Sequence, residues 1–238
     1  MRRTKKAEYT FEVGLKKPLD LAVVSDLHSE GCGEVLEILK SISPDAVLCP
    51  GDVIHKADPS EEGIEFLRQS ARLFPTFLSM GNHEVKHGVD VRESLRATGA
   101  VLLDNEFCSF GEIKIGGLST GYTVDTPQSR IKMPPRPNIE ALSEFFSAEG
   151  FKLLLCHHPE YFAPYLKDLG ADLILSGHAH GGQWRILGQG IFAPGQGLFP
   201  KYTSGLYENK LLVSTGLSNR TKIPRIFNPR TLIMINLK

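Results

Sequence analysis

The sequence predicts an α/β fold with a second sheet, and three observations carry that prediction. Runs rich in Val, Ile and Leu and of strand length recur along the chain. Apolar patterns of helical period lie between the early runs, and more strand-like runs follow after that alternation has ended.

Taken in order, the strand runs are residues 19–25, 46–49, 76–80, 113–118, 152–156, 172–176, 211–215 and 232–237. Val35, Leu36, Ile38, Leu39 and Ile42 mark a first helix, and Ile64, Leu67, Ala71 and Leu73 a second. Ser60, followed by Glu61 and Glu62, supplies a helix start for the second. Residues 138–148 and 159–169 predict two further helices. Residues 119–138 hold Pro127, Pro134, Pro135 and Pro137 and few apolar side chains, so they predict a loop long enough to act as a lid. No repeat or composition shift divides residues 1–238, which predicts one domain.

Composition excludes several classes. Hydrophobic residues at 41% and charged residues at 23% are ordinary globular usage, so a packed core is expected rather than a disordered chain. Lys plus Arg balances Asp plus Glu at 27 each, which removes the global basic field of a nonspecific nucleic-acid binder. Cys32, Cys49, Cys108 and Cys156 form no Cys-x-x-Cys pair and read as reduced, packed thiols, hence a cytoplasmic protein, with peripheral membrane association left open. The basic start through Lys6 lacks the apolar stretch of a signal peptide, and residues 1–18 read as a solvated arm or an edge strand. No run reaches ~18 apolar residues, so no transmembrane segment is expected. An anchor lying outside the chain is left open.

The chemistry sits just after the strands, where α/β folds place their ligands. Asp26-Leu27-His28 follows the first run, Gly51-Asp52 the second, Gly81-Asn82-His83-Glu84 the third, His157 the fifth and Ser176-Gly177-His178-Ala179-His180 the sixth. Side chains two apart on an extended segment point the same way, so Asp26 with His28, and His178 with His180, are expected to converge on one locus. His157 and His158 are adjacent, so only one can face that locus.

Asp26-x-His28, Gly51-Asp52, Gly81-Asn82-His83-Glu84, His157 and Gly177-His178-x-His180 together resemble the motif set of the calcineurin-like metallophosphoesterases. The tail, with Gly181-Gly182-Gln183 and Gly197-Leu198-Phe199-Pro200, resembles the small bacterial YkuE/YaeI-type branch. The resemblance implies a four-layer α-β-β-α sandwich of two mixed β-sheets and a centre of two divalent metal ions. It assigns Asp26, His28 and His180 to one ion, Asn82, His157 and His178 to the other, and Asp52 to both. Mn²⁺ is favoured, with Fe or Zn²⁺ equally compatible with the donors.

The implied activity is phosphoester hydrolysis, by a phosphodiesterase or pyrophosphohydrolase, through a metal-bridging hydroxide. Two carboxylates against two dications leave a positive site, which suits an anionic phosphate ester, whether a small molecule or a lipid-linked head group. His83 is expected to act as general acid, and Glu84 to hold His83 by a hydrogen bond. Asn82, His83 and Arg185 are the expected substrate contacts, within a basic group that also includes Lys201, Arg220, Lys222 and Arg225. His158 reads as solvated or hydrogen-bonded nearby, and His55 and His87 as exposed polar residues. A nuclease on the same scaffold is disfavoured by the neutral charge, and a non-catalytic module by the intact ligand set.

Overall fold

The structure, a computed structural model, describes residues 4–56, 61–87, 90–127, 132–219 and 224–238. Its strands are β1 (Lys5–Phe11), β2 (Leu19–Val23), β3 (Ala46–Cys49), β4 (Thr76–Leu78), β5 (Val101–Leu102), β6 (Glu106–Phe110), β7 (Ile113–Leu118) and β8 (Phe151–Cys156). These are followed by β9 (Leu173–Ser176), β10 (Arg185–Ile186), β11 (Gln189–Gly190), β12 (Phe192–Ala193), β13 (Gly197–Leu198), β14 (Gly205–Tyr207), β15 (Leu211–Val213) and β16 (Thr231–Leu237). The α-helices are α1 (Cys32–Ile42), α2 (Glu62–Leu73), α3 (Asn82–Val85), α4 (Arg92–Arg96) and α5 (Ser143–Ser147).

Two six-stranded mixed sheets result, in the orders β1-β16-β2-β3-β4-β5 and β14-β15-β9-β8-β7-β6. In the first, β2 to β5 run parallel, β16 is antiparallel to β2, and β1 lies parallel to β16 at the edge. In the second, β15, β9, β8 and β7 are parallel, with β14 and β6 as antiparallel edges.

Strand alternation divides the core. Leu21, Val23 and Leu48 of the first sheet pack against Ile115, Leu153, Leu155 and Leu175 of the second. The intervening Ala22, Val24, Val47 and Cys49 face outward onto Leu36 and Leu39 of α1 and Phe66 and Leu67 of α2. Leu154, Cys156 and Ile174 likewise face outward onto Phe145, Tyr161 and Phe162. The layers are therefore α-β-β-α.

Two local expectations need correction. Residues 138–148 form a 3₁₀ turn, Ile139–Leu142, that runs into the single-turn α5. Residues 159–169 form a 3₁₀ turn, Pro159–Tyr161, followed by the π-helical Phe162–Leu166. Pro164 has no N–H for an α-helical bond, and Lys167 N–H reaches Phe162 O at 2.8 Å, five residues back. At the N-terminus, Lys5–Phe11 form the edge strand β1, one of the two readings of residues 1–18. Ser60, the expected start of α2, lies outside the described residues.

Candidate metal centre

The parallel strands β2, β3, β4, β8 and β9 all end on one side of the sandwich, and short backbone bonds lace the loops that follow. His28 N–H donates to Asp52 O (3.0 Å), Gly177 N–H to His157 O (3.0 Å) and Asp26 N–H to Gly51 O (3.3 Å). Asp26 Oδ1 accepts from His178 N–H at 3.0 Å, which ties the two sheets together at the centre. Two glycines permit this approach. A Cβ on Gly81 would lie 2.2 Å from Asp52 Oδ1, and one on Gly177 would lie 2.0 Å from Ser25 Oγ and 2.3 Å from Asp26 Oδ2.

Convergence has a different origin from the one alternation predicts. Asp26 (φ 51°), His28 (φ 49°), Asp52 (φ 54°), His178 (φ 64°) and His180 (φ 45°) are all left-handed, beyond the ends of their strands. Each costs about 1 kcal/mol or more in local strain, which the surrounding packing must offset. Tight left-handed turns, not extended i, i+2 geometry, aim these side chains.

The side chains meet in overlapping groups. Ligand atoms of Asp26, His28 and His180 lie within 4.8 Å of one another, as do those of Asp52, His157 and His178. His28 Nε2 and His180 Nε2 face each other at 3.2 Å. Asp52 Oδ2 lies 3.9 Å from His28 Nε2 and 3.1 Å from His157 Nε2, so it stands between the groups. Asn82 is buried on α3, and its Oδ1 has no hydrogen-bond partner.

Protonation suits a cation. Burial pushes His28 down to about 4, and burial with the neighbouring His157 pushes His178 down to about 3, so both rings are neutral at pH 7. Burial alone would raise Asp52, but His157 and His83 hold its carboxyl well below the ordinary range. His157 Nδ1–H donates to Pro50 O at 3.0 Å, which fixes the ring and turns Nε2 inward. Burial would lower His157, yet Asp52 outweighs it and lifts the ring to about 10. A metal would displace that proton. Neutral imidazoles, ionised carboxylates and an orphaned amide oxygen are the donor set a divalent ion requires, so the residues fit a metal centre.

Glu84 corrects the expectation placed on it. Its Oε2 accepts from Asp52 N–H (2.8 Å) and Gly81 N–H (2.9 Å), and its Oε1 from Ile54 N–H (3.1 Å). Standing three residues into α3 after Gly81, its carboxylate turns back to the helix start as a capping box does. Glu84 therefore staples two ligand loops and does not touch the His83 ring. Burial and Asp52 push it up to about 7.

His83 N–H donates to Asp52 Oδ1 at 2.8 Å, its Nδ1 accepts from Lys56 N–H at 3.3 Å, and its Nε2 lies 3.9 Å from Asp52 Oδ2. The His55 ring is centred 4.6 Å from that of His83 and 5.7 Å from that of His28, so His55 is a half-buried neighbour of the centre, not an exposed residue. Arg185 donates to Gly181 O (3.0 Å), Thr203 Oγ1 (3.1 Å) and Gly188 O, which anchors the chain after the last ligand pair. Arg225 lies beside the centre, 3.2 Å from His180 Nδ1. Arg220 and Lys222 lie outside the described residues.

Sequence reasoning also missed Glu160. It is buried, with both carboxylate oxygens lacking hydrogen-bond partners, 3.6 Å from His178 Nε2 and 3.9 Å from His158 Nδ1. Burial pushes it up to about 8. His158 is buried as well, and its Nε2 meets Thr120 Oγ1 at 2.8 Å. The signal available was proximity alone, since Glu160 follows the ligand His157 by three residues.

Comparison with known proteins agrees with this geometry. The family model for calcineurin-like phosphoesterases matches residues 19–182. An uncharacterized metallophosphoesterase of Campylobacter jejuni, Cj0846, is 29% identical over 94% of this chain and 60% of its own length. The phosphodiesterase YaeI of Escherichia coli is 27% identical over 71% of this chain and 63% of its own. The chain thus spans somewhat under two thirds of these two relatives. One crystal structure superposes with a TM-score of 0.51 at 13% identity, over 82% of this chain and 90% of that one.

Proposed function

The chain belongs to the calcineurin-like phosphoesterase family, and we propose that it cleaves a phosphodiester or pyrophosphate at a two-metal centre. The observation that carries this reading is the convergence of Asp26, His28 and His180 with Asp52, His157 and His178 around a shared buried carboxylate. Asp26, His28 and His180 would hold one ion, Asn82, His157 and His178 the other, with Asp52 common to both. Manganese suits these donors, as do iron and zinc. When bound, two divalent ions would neutralise phosphate charge and lower the pKa of water toward ~7.

The chain's own residues supply the rest. Glu84 keeps the Asp52 and Gly81 loops at fixed separation through three N–H bonds. Nδ1 of His83 accepts a backbone N–H, so the proton of the neutral ring sits on Nε2. We propose that this Nε2–H hydrogen-bonds the leaving oxygen, and that the ring acts as general acid after taking a second proton on Nδ1 beside the bound anionic ester, so that donation returns it to neutral imidazole. Thr120 meets His158 beside the centre. The substrate is a small or lipid-linked phosphate ester, and the free cysteines favour action in the cytoplasm.

The test is hydrolysis of bis-p-nitrophenyl phosphate with and without added Mn²⁺. Turnover should need the metal and vanish in Asp52→Ala; unaltered turnover in that variant overturns the proposal. His83→Ala should slow an alkyl ester more than the nitrophenyl ester, because the poorer leaving group depends more on proton donation. Equal losses would remove the acid role.

A further inference from the structure

Most of the large apolar side chains exposed among the described residues lie in one stretch after His180. Leu187 is fully exposed, Phe227 is 79% exposed, Leu198 70% and Phe199 68%, with Ile186 and Trp184 beside them. They occupy neighbouring loops. The β10-β11 hairpin carries Ile186 and Leu187, and the β12-β13 hairpin leads into Leu198 and Phe199. Phe199 N–H donates to Ile191 O, Ile191 N–H to Trp184 O, and Arg185 N–H to Ile226 O, which binds the two hairpins and residues 224–228 into one surface.

A neutral chain hides a charge asymmetry along its sequence, in the stretch that carries this surface. Residues 183–230 contain seven Lys or Arg and one acid, Glu208, which leaves twenty basic and twenty-six acidic residues elsewhere. Two of the seven are discounted: Arg230 pairs with Glu34, and Lys210 donates to the carbonyls of Lys167 and Leu169. Arg185 and Arg225 are half-buried and likewise donate to carbonyls, Arg225 also against His180, and Glu208 pairs with Lys167. Lys201 is exposed beside Tyr202.

We propose that the loops after His180 form a docking surface for an anionic lipid bilayer. Aromatic and aliphatic side chains at loop tips beside the exposed cation Lys201, on a stretch of basic sequence, match the composition of an interfacial membrane contact. A protein partner of ordinary kind would instead meet a flatter patch with a polar rim. No helix of the described residues is long and apolar enough to cross a membrane, so the contact is peripheral. The surface adjoins the metal centre, because Asn228 Nδ2 holds His180 O at 2.7 Å. Docking would therefore bring the centre close to the head groups. The proposal stands on the surface itself and holds whichever phosphate ester is cleaved.

The test is flotation of the full chain with vesicles of phosphatidylcholine alone or mixed with phosphatidylglycerol. The protein should float with the anionic vesicles at low salt, much less with the neutral ones, and be released by high salt. Leu187→Glu combined with Phe199→Glu should lower the bound fraction at least ~10-fold. Lys201→Glu should lower it roughly 30-fold, since each charge near an anionic surface is worth roughly fivefold. Melting temperature and bis-p-nitrophenyl phosphate hydrolysis should not change in the double variant, because neither Leu187 nor Phe199 touches the centre. Wild-type protein that stays unbound, or variants that float as well as wild type, would overturn the proposal. So would a self-association, measured by sedimentation, that the double substitution abolishes, since the face would then belong to a second copy.

Discussion

Replacing Glu84 separates a structural carboxylate from a reacting one. Its two oxygens satisfy three buried N–H groups, at 2.8, 2.9 and 3.1 Å. In Glu84→Gln one oxygen survives and an amide NH₂ confronts at least one N–H, an orphaned buried donor worth about 1–3 kcal/mol. In Glu84→Ala all three donors are orphaned, so the loss should be at least twice as large, a large share of a total stability of roughly 5–15 kcal/mol. At about 2–4 °C per kcal/mol for a chain of this size, Glu84→Gln should melt ~2–12 °C below wild type. Calorimetry measures that shift, and hydrolysis of bis-p-nitrophenyl phosphate by the same samples should fall only ~10–100-fold, the usual effect of removing a group that orients ligands. A Glu84→Gln protein that melts with wild type but loses ~10⁴-fold or more in rate would refute the staple and make Glu84 a reacting group. An unchanged melt in Glu84→Ala would refute it as well.

Gly177→Ala puts a methyl 2.0 Å from Ser25 Oγ and 2.3 Å from Asp26 Oδ2. Displacing Asp26 should weaken Mn²⁺ binding by ~10-fold or more, read by calorimetric titration. Glu160→Gln should lower Mn²⁺ affinity ~10–100-fold, with kcat at saturating metal less affected, because the carboxylate acts through His178; an unchanged affinity would leave Glu160 without a role at the centre. Burial raises all four thiols, Cys32 up to about 12 and Cys49 and Cys156 further. A raised pKa means less thiolate at any given pH, so iodoacetamide at pH 8 should label native protein slowly and label all four cysteines after denaturation.

The strands were legible because each inner sheet position is apolar and its neighbours face a helical layer that is apolar too, as with Leu153, Leu154 and Leu155. The ligands were legible because Asp26, Asp52, Asn82, His157 and His178 follow strand ends in an order that carries a pattern. The means of convergence was not, since a left-handed φ at Asp26 or His180 is imposed by tertiary contacts and has no glycine to announce it. Glu84 was misassigned for a related reason: its partners are N–H groups at Asp52 and Ile54, about thirty residues away, and backbone donors leave no mark in a sequence. Glu160 carried no signal, and His55 read as an ordinary polar residue, until the fold brought them against His178 and His83. Pro164 was the one legible warning that residues 159–169 could not be a regular helix, and the helical period around it masked that warning.

Elemental analysis of the purified chain, beside Asp52→Asn, tests the central claim most directly. Asp52 lies within reach of both ligand groups, 3.9 Å from His28 Nε2 and 3.1 Å from His157 Nε2. Wild type loaded with Mn²⁺ and then desalted should retain about two ions per chain, and Asp52→Asn clearly fewer, with its fold intact by circular dichroism. A wild-type protein that retains no metal, or an Asp52→Asn protein that keeps the full complement, would contradict a shared two-metal centre.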